Sequence, residues 1–318
     1  MKVLIIGATG FLGSAIARVL NARGHAVHGL SRNTENETKL KNAGVVPVQG
    51  DFENPTALCE TAKAFDTIVF SAMIPFQREA EIVAALLEAH RGSGRHFLFT
   101  SGTGVLSIAA PNGEWNENTF TEDDPFPFLA RTNREIRIKT EDMVRSAAKD
   151  GYHTTVVRPP LIFGNGGSVQ IPRLFESAIK TGSACYLGQG LNLYSNVHVD
   201  DLAEVFALAI ERGVPGALYH AVAGEANFRA LAEAVAHVVG CDTKSLDLEA
   251  ASALWGNFWV EVGLAVNSRS RAPRTRSELG WIPKHVDVVE DIRSGSYRDA
   301  YMAWKEGRGG LIKISSHG

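Results

Sequence analysis

Residues 3–13 read VLIIGATGFLG, an apolar run of four residues followed by three glycines spaced three apart. The run is too short for a membrane span or a signal peptide, and it predicts a buried parallel strand. Gly7, Gly10 and Gly13 predict a tight turn into a helix at 13–22, with room for a pyrophosphate at the helix N-terminus. The stretch therefore predicts a strand–turn–helix that binds a dinucleotide, and the alternative is a glycine-rich turn without a ligand.

Outward from this turn, short β-rich runs alternate with longer amphipathic segments. The runs predict strands at 26–30, 45–49, 67–71, 96–100 and 154–157, and helices at 79–89 and 132–148. This alternation predicts an α/β fold, namely a Rossmann-like doubly wound parallel sheet with right-handed crossovers.

The pattern loosens after about residue 160. We predict helices near 171–180, 200–212 and 226–239, a strand at 217–222, an irregular stretch at 245–285 and a closing helix at 287–305. Residues 1–160 are expected to form the dinucleotide-binding core. Residues 161–318 are expected to form a smaller C-terminal substrate-binding lobe whose further elements return to the core, so it is not an independent domain.

Charge and cysteine content narrow the class of protein. The 318 residues carry a formal net charge of −3, which argues against general binding to nucleic acid or a membrane surface. The three cysteines are widely spaced and form no CxxC pair, which favours free thiols in a reducing compartment over a disulfide or a metal site. We therefore expect a cytoplasmic protein with a small-molecule substrate.

The end of the second predicted strand bears on which cofactor binds. An NAD site usually places an acidic residue here, where it binds the ribose 2′-hydroxyl. Ser31 and Arg32 occupy this position instead. A carboxylate would repel a 2′-phosphate, whereas Arg32 can pair with it. We predict NADP(H), with NAD as the alternative cofactor and a solvated surface role as the alternative for Arg32.

Several further stretches resemble the extended short-chain dehydrogenase/reductase family, also called the NAD-dependent epimerase/dehydratase family. Besides GATGFLG at 7–13, they are GDF at 50–52, TSGT at 100–103, RPPLIFG at 158–164, NVHVDDL at 196–202 and LGWIP at 279–283. They occur in the family's order and cover about residues 10–300. The resemblance implies a Rossmann core, a nicotinamide cofactor and, by analogy, a homodimer.

The resemblance also implies cofactor contacts at the matched positions. Asp51 and Phe52 would flank the adenine, and residues 159–161 would lie near the nicotinamide. His198 and Asp201 match signature residues, which we interpret as a hydrogen-bond network that ties the lobe to the sheet. Together with the glycine turn and the end of the second strand, the complete predicted cofactor-binding set is Gly7, Thr9, Gly10, Phe11, Leu12, Gly13, Ser31, Arg32, Asp51, Phe52, Ser71, Ala72, Arg137, Pro159, Pro160 and Leu161.

The chain departs from the family in the predicted helix at 132–148. Family enzymes begin this helix with Tyr-x-x-x-Lys; the Tyr exchanges a proton with the substrate, and the Lys binds the nicotinamide ribose and lowers the Tyr pKa. Alignment on Glu141 places Asn133 and Arg137 at these two positions, whereas alignment on Lys139 places Glu135 at the Tyr position. Neither register supplies a tyrosine. Arg137 still provides a positive charge that can bind the ribose hydroxyls. The side-chain amide of Asn133, however, cannot replace the tyrosine as a proton donor.

Hydroxyl groups near the fifth strand are the remaining catalytic candidates. Ser101 and Thr103 flank the position of the family's substrate-orienting hydroxyl, and hydrogen bonding at the strand end is their alternative role. With Asn133 and Arg137 they complete the predicted catalytic set. Thr103, Ser101, Tyr194 or a water are the candidate proton sources.

The substrate is expected to bind between residues 101–130, 165–200 and the lobe. Trp115, Arg173 and Tyr194 are the substrate candidates. Family members that act on nucleotide sugars use basic residues here to hold the diphosphate, and residues 269–276 offer further arginines. The alternative is an apolar or aromatic site lined by Trp115, Phe126, Phe128, Trp255 and Trp259. Both a sugar nucleotide and a small carbonyl compound stay open as substrates.

Three hypotheses follow. The first is an atypical extended short-chain oxidoreductase that uses NADP(H) on a small carbonyl or alcohol substrate. The second is a sugar-nucleotide epimerase or dehydratase with retained cofactor. The third is a non-catalytic NADP(H)-binding regulator.

Overall fold

The computed structural model describes residues 1–126 and 132–308, and within these ranges all side chains except those of residues 132 and 133. The strands are β1 (Lys2–Ile6), β2 (Ala26–Ser31), β3 (Val46–Gln49), β4 (Thr67–Phe70), β5 (His96–Thr100), β6 (Ile108–Ala109), β7 (His153–Arg158), β8 (Leu161–Phe163), β9 (Ser183–Leu187), β10 (Leu193–His198), β11 (Ala217–His220), β12 (Gly224–Asn227), β13 (Asp242–Leu246) and β14 (Val266–Asn267).

The helices complete the element order. They are α1 (Phe11–Ala22), α2 (Thr34–Asn42), α3 (Pro55–Ala62), α4 (Phe76–Ala89), α5 (Thr132–Ser146), α6 (Ile171–Thr181), α7 (Val199–Arg212), α8 (Phe228–Val239), α9 (Leu248–Trp255), α10 (Asn257–Trp259), α11 (Pro273–Leu279), α12 (Val288–Ser294) and α13 (Ser296–Lys305). A 3₁₀ turn at Thr103–Leu106 follows β5.

Seven parallel strands form the main sheet in the order β11-β7-β5-β4-β1-β2-β3. Because side chains alternate along a strand, Val3 and Ile5 pack on one face with α1 and α7, whereas Leu4 and Ile6 pack on the other with α3, α4 and α5. Both faces are thus covered, which confirms the predicted doubly wound Rossmann-like fold. The order of the strands changes direction at the junction of β1 and β4, since β2 and β3 follow on one side of β1 and β4, β5 and β7 on the other. Such folds bind their ligands at this junction, beyond the carboxyl ends of the strands.

A second core lies in the C-terminal part, between α6, α8, α12 and α13 and the two-stranded sheet β13-β9. A three-stranded sheet, β12-β10-β8, and the pair β14-β6 connect this part to the first. β11 lies after residue 160 yet joins the main sheet. Within the described part of the chain, no helix has both the length and the apolar character of a membrane span.

Two of the predicted segments were wrong. The stretch 245–285 is not irregular, since it contains β14, helices α9 to α11 and the end of β13. The closing segment is two helices, α12 and α13, rather than one. Gly295 separates them, because a Cβ atom there would come within 2.4 Å of the Asp291 carboxylate. That carboxylate accepts hydrogen bonds from the Ser296 N–H at 2.8 Å and hydroxyl at 2.9 Å, which starts the second helix.

Candidate active site

The turn at residues 7–13, called the dinucleotide turn below, requires its glycines. Gly7 has a φ of +99°, and a Cβ atom there would come within 2.7 Å of the Ala72 nitrogen. On Gly13, a Cβ atom would come within 2.1 Å of the Gly7 carbonyl oxygen. The Gly10 N–H closes the turn on the same carbonyl at 3.0 Å. Side chains are therefore excluded where the backbone of β1 meets α1.

The N-terminus of α1 is open to an anion. Gly10 is the N-cap residue, no side chain of the described residues caps the helix, and its first turn has no acidic residue. The unpaired N–H groups and the helix dipole favour a negative charge at this position. The dinucleotide turn thus fits the pyrophosphate of a dinucleotide.

At the end of β2, Ser31 is buried and Arg32 is exposed. The Ser31 hydroxyl donates to the Asn33 carbonyl at 2.9 Å, and its own carbonyl accepts from the Gly50 N–H at 3.0 Å. Arg32 has no hydrogen bond or ion pair within residues 1–126 and 132–308. Among the described residues, Arg32 is therefore a cation without an acidic partner.

The predicted adenine and ribose contacts follow β3 and β4. Asp51 and Phe52 are half-buried; the Asp51 carboxylate accepts from the N–H groups of Glu53 at 2.9 Å and Asn54 at 3.2 Å. The Ser71 hydroxyl donates to the Ile6 carbonyl at 3.2 Å, beside the dinucleotide turn. These residues therefore lie at the carboxyl edge of the sheet, and their roles toward the cofactor stay predictions.

Ser101 and Thr103 differ in what they contact. Both are buried. The Thr103 hydroxyl is hydrogen-bonded to the Ser268 hydroxyl at 3.1 Å, whereas the Ser101 hydroxyl has no hydrogen-bond partner among the described residues. The Thr103 N–H donates to the Pro159 carbonyl at 2.9 Å, which joins the ends of β5 and β7. A buried hydroxyl without a partner is destabilising, and such groups frequently mark functional sites.

Tyr194 lies beside the hydrogen-bonded hydroxyls of Thr103 and Ser268. Its ring is buried, and its hydroxyl oxygen would be 3.5 Å from a Cβ atom on Gly104. Burial raises the pKa of Tyr194, while a hydrogen bond with Ser268 and the charge of Arg134 act in the opposite direction. The phenol therefore holds its proton firmly at neutral pH.

Arg137 is paired with a buried carboxylate. Its guanidinium donates to both oxygens of Glu79, at 3.2 and 2.6 Å, and its Cζ lies 4.4 Å from the centre of the Phe76 ring. Glu79 is 1% exposed, and burial raises its pKa against the opposing effect of Arg137. The ribose contact implied for Arg137 stays a prediction, while its guanidinium is already held by Glu79. The Asn133 side chain lies outside the described residues.

The predicted substrate residues have three different environments. Trp115 is 54% exposed, Tyr194 is buried, and Arg173 is 6% exposed. The Arg173 guanidinium donates to the Val169 carbonyl and stacks on Trp259, with Cζ 3.9 Å from the ring centre. Burial lowers the pKa of Arg173.

A cleft of about 490 Å³ lies beyond the carboxyl end of β11, and Arg269, Arg271 and Arg276 line it. Arg269 is paired with Glu225 at 2.9 Å, and its guanidinium lies 5.8 Å from the centre of the Trp115 ring. The cleft thus contains part of the predicted basic stretch at 269–276, and its lining includes no residue of the dinucleotide turn.

Asp201 lies in a hydrogen-bond network, and its structural interpretation stays a prediction. Its carboxylate accepts from the N–H groups of Lys284 at 2.9 Å and His285 at 2.7 Å, and its carbonyl accepts from the Trp281 ring N–H at 2.9 Å. His198 accepts from the Asp200 N–H at 3.2 Å and stacks on His285. This network ties α7 to the segment after α11.

Sequence reasoning missed Glu79 and Ser268. Glu79 shares the apolar face of α4 with Ile82, Val83 and Leu86, and an acid at such a position is a signal that a cation faces it. Ser268 has no comparable signal, because its contact with Thr103 joins segments 165 residues apart.

The family's sequence profile matches residues 3–222 of this chain, which is more than half of it. The chain belongs to the NAD dependent epimerase/dehydratase family. The resemblance drawn from the six sequence stretches is therefore confirmed. Members of the family are NAD(P)-dependent oxidoreductases, epimerases and dehydratases.

Two relatives and one solved structure illustrate how similar this chain is to known proteins. The uncharacterized protein YLL056C of Saccharomyces cerevisiae is 31% identical over 307 residues, covering 92% of this chain and 98% of the relative. The 2-alkyl-3-oxoalkanoate reductase of Stenotrophomonas maltophilia is 30% identical over 243 residues, covering 72% and 70%. The structure of dTDP-glucose 4,6-dehydratase from Bacillus anthracis in complex with NAD superposes with a TM-score of 0.75, covering 98% of this chain and 100% of that one. At 18% identity, this likeness concerns the fold alone.

Proposed function

We propose that the protein is an NADP(H)-dependent oxidoreductase that interconverts a small carbonyl compound and the corresponding alcohol. The observation that carries the cofactor assignment is Arg32, an exposed cation that has no acidic partner among the described residues and lies where an NAD site normally has a carboxylate. Its planar guanidinium suits a 2′-phosphate.

In this proposal, the dinucleotide turn and Arg32 bind different parts of the cofactor. The turn and the N-terminus of α1 hold the pyrophosphate, and Arg32 selects the phosphorylated ribose. NADP(H), when bound, supplies or accepts the hydride. The chain's own part is to bind, orient and shield the reactants.

Ser101 supports a role in orienting the substrate carbonyl. Its buried hydroxyl has no partner among the described residues, so it is available to donate a hydrogen bond to the substrate oxygen. Thr103 suits this role less well, because Ser268 already occupies its hydroxyl. In this proposal, Ser101 stabilises the negative charge that develops on the substrate oxygen as the hydride reaches the carbonyl carbon, and a water supplies the proton that completes the alcohol.

The relatives favour carbonyl reduction over sugar-nucleotide chemistry. The Stenotrophomonas maltophilia relative is a reductase at 30% identity, and a ketoreductase of Stigmatella aurantiaca is 26% identical over 304 residues. The structures with bound sugar nucleotides are 16–18% identical and support the fold only.

The test is turnover by the purified full-length protein with NADPH and a panel of ketones and aldehydes. We expect NADPH consumption that matches alcohol formation one to one. Stoichiometrically retained cofactor without net consumption, together with conversion of a sugar nucleotide, would contradict the proposal. Tight NADP(H) binding without turnover on either class would also contradict it.

A further inference from the structure

Arg173, in the first turn of α6, is a buried cation that has no acidic partner among the described residues. Within residues 1–126 and 132–308, its guanidinium has one hydrogen-bond acceptor, the Val169 carbonyl. Glu176, whose charge acts on Arg173, is itself paired with Lys180 at 2.5 Å. The two segments outside the description carry no aspartate or glutamate. A buried charge left unpaired destabilises the folded chain, so its presence points to a ligand.

Trp259 determines how the guanidinium is presented. Its ring centre lies 3.9 Å from Arg173 Cζ, so the ring covers one face of the guanidinium. The Trp255 ring N–H donates to the Arg173 carbonyl at 3.1 Å, which fixes the backbone. A stacked guanidinium keeps its N–H edge for a ligand, and that edge matches the two oxygens of a carboxylate.

Residues 164–170 connect Arg173 to the dinucleotide turn. Gly167 packs on the Phe11 ring so closely that a Cβ atom there would come within 2.5 Å of Cε2. Val169, two residues further on, accepts the hydrogen bond from Arg173. Tyr297 holds this loop by donating to the Gly167 carbonyl at 2.6 Å and accepting from the Gly164 N–H at 3.0 Å. The guanidinium is therefore fixed to the loop that contacts the start of α1.

We infer that Arg173 binds a carboxylate of the substrate, so that the enzyme reduces carbonyl compounds that also carry a carboxylate. This inference rests on the proposed carbonyl reductase function and names its substrate class. A neutral ketone would leave the Arg173 charge uncompensated, whereas an oxo acid pairs with it through two parallel hydrogen bonds.

The test uses matched pairs of substrates with the NADPH-loaded full-length protein. Straight-chain 2-oxo and 3-oxo acids of four to eight carbons are compared with their methyl esters. We expect kcat/KM for the preferred acid to exceed that for its ester by about 30-fold, which is the scale of a charge-assisted hydrogen-bond pair. Equal use of acids and esters by the wild type would overturn the inference while leaving the carbonyl reductase function intact.

Variants then assign the preference to Arg173. Arg173→Met should abolish the preference for the acid over its ester, and Arg173→Lys should keep part of it. Arg298→Met removes an exposed arginine of α13 as the control and should keep the full preference. A preference that survives in Arg173→Met would overturn the inference.

Binding separates this inference from a failure of the proposed function. If the wild type reduces no ketone, calorimetric titration of the NADP⁺-loaded protein with the same acids remains decisive. An affinity that falls about 30-fold in Arg173→Met supports the carboxylate site. Equal affinity in both proteins, or no binding of any acid to the wild type, would overturn it.

Discussion

Gly13 lies so close to Gly7 that a Cβ atom on Gly13 would come within 2.1 Å of the Gly7 carbonyl oxygen. Gly13→Ala must therefore push α1 away from β1, and we expect a loss of stability of about 1–3 kcal/mol and a loss of NADPH affinity. Urea unfolding and a fluorescence titration measure the two effects.

Gly24→Ala provides the control for this substitution. Gly24 has a positive φ, +79°, but a Cβ atom there meets nothing within 4 Å. The control should lose about 1 kcal/mol through backbone strain and keep the wild-type NADPH affinity. If Gly13→Ala binds NADPH as the wild type does, the assigned role of the dinucleotide turn is wrong.

The Glu79–Arg137 pair predicts a second outcome. Arg137→Met leaves the Glu79 carboxylate buried without its cation, so we expect a stability loss of about 3–5 kcal/mol. Glu79→Gln combined with Arg137→Met should recover most of it, as measured by denaturant unfolding. NADPH affinity of the stable double variant then tests the ribose contact, and an affinity within about threefold of wild type would exclude it. A tenfold or larger loss would instead support the ribose contact that the family resemblance implies.

The glycine turn and the sheet were predictable because local pattern determines them. Residues 3–13 combine a buried apolar run with glycines where only glycine fits, so the strand, turn and helix follow from sequence. α2 was missed because it has one buried apolar residue, Leu40, and therefore no apolar stripe.

Long-range pairing accounts for most of what sequence reasoning left open in the site. The sequence alone shows that residue 137 is a cation, but its partner Glu79 lies 58 residues away on another helix. The choice between Ser101 and Thr103 likewise depends on Ser268, which only tertiary packing brings close. Sequence spacing carries no information on such contacts.

Ser101 predicts a kinetic effect without a large stability effect. Ser101→Ala removes a hydroxyl that has no partner among the described residues, so we expect kcat to fall by about 10–100-fold while the unfolding free energy changes by less than about 1 kcal/mol. Thr103→Ser, which keeps the hydroxyl that bonds Ser268, serves as the control and should retain wild-type kcat. An unchanged kcat in Ser101→Ala would exclude the proposed role.

Two buried histidines predict acid sensitivity. Burial lowers the pKa of His96 and of His220 to about 3, with His153 beside the first and Arg158 beside the second adding to the effect. The unfolded chain, with histidine pKa values near 6.5, binds more protons between these limits, so stability is full above about pH 6.5 and falls as the pH drops.

His96→Gln should remove up to about 1.4 kcal/mol per pH unit from this slope below pH 6. Urea unfolding at several pH values between 7 and 4.5 measures it, and His237→Gln on the exposed side of α8 is the control. An identical slope in wild type and His96→Gln would show that His96 is not the source.

The most direct test of the account is the ratio of NADPH to NADH affinity in wild type, Arg32→Asp and the charge-matched control Arg298→Asp. We expect wild type and the control to bind NADPH about 30-fold or more tightly than NADH, because Arg32 pairs with the 2′-phosphate. Arg32→Asp should lose that preference or reverse it, because its carboxylate repels the phosphate and accepts from the 2′-hydroxyl. An affinity ratio that is the same in wild type and Arg32→Asp would contradict the assignment of NADP(H).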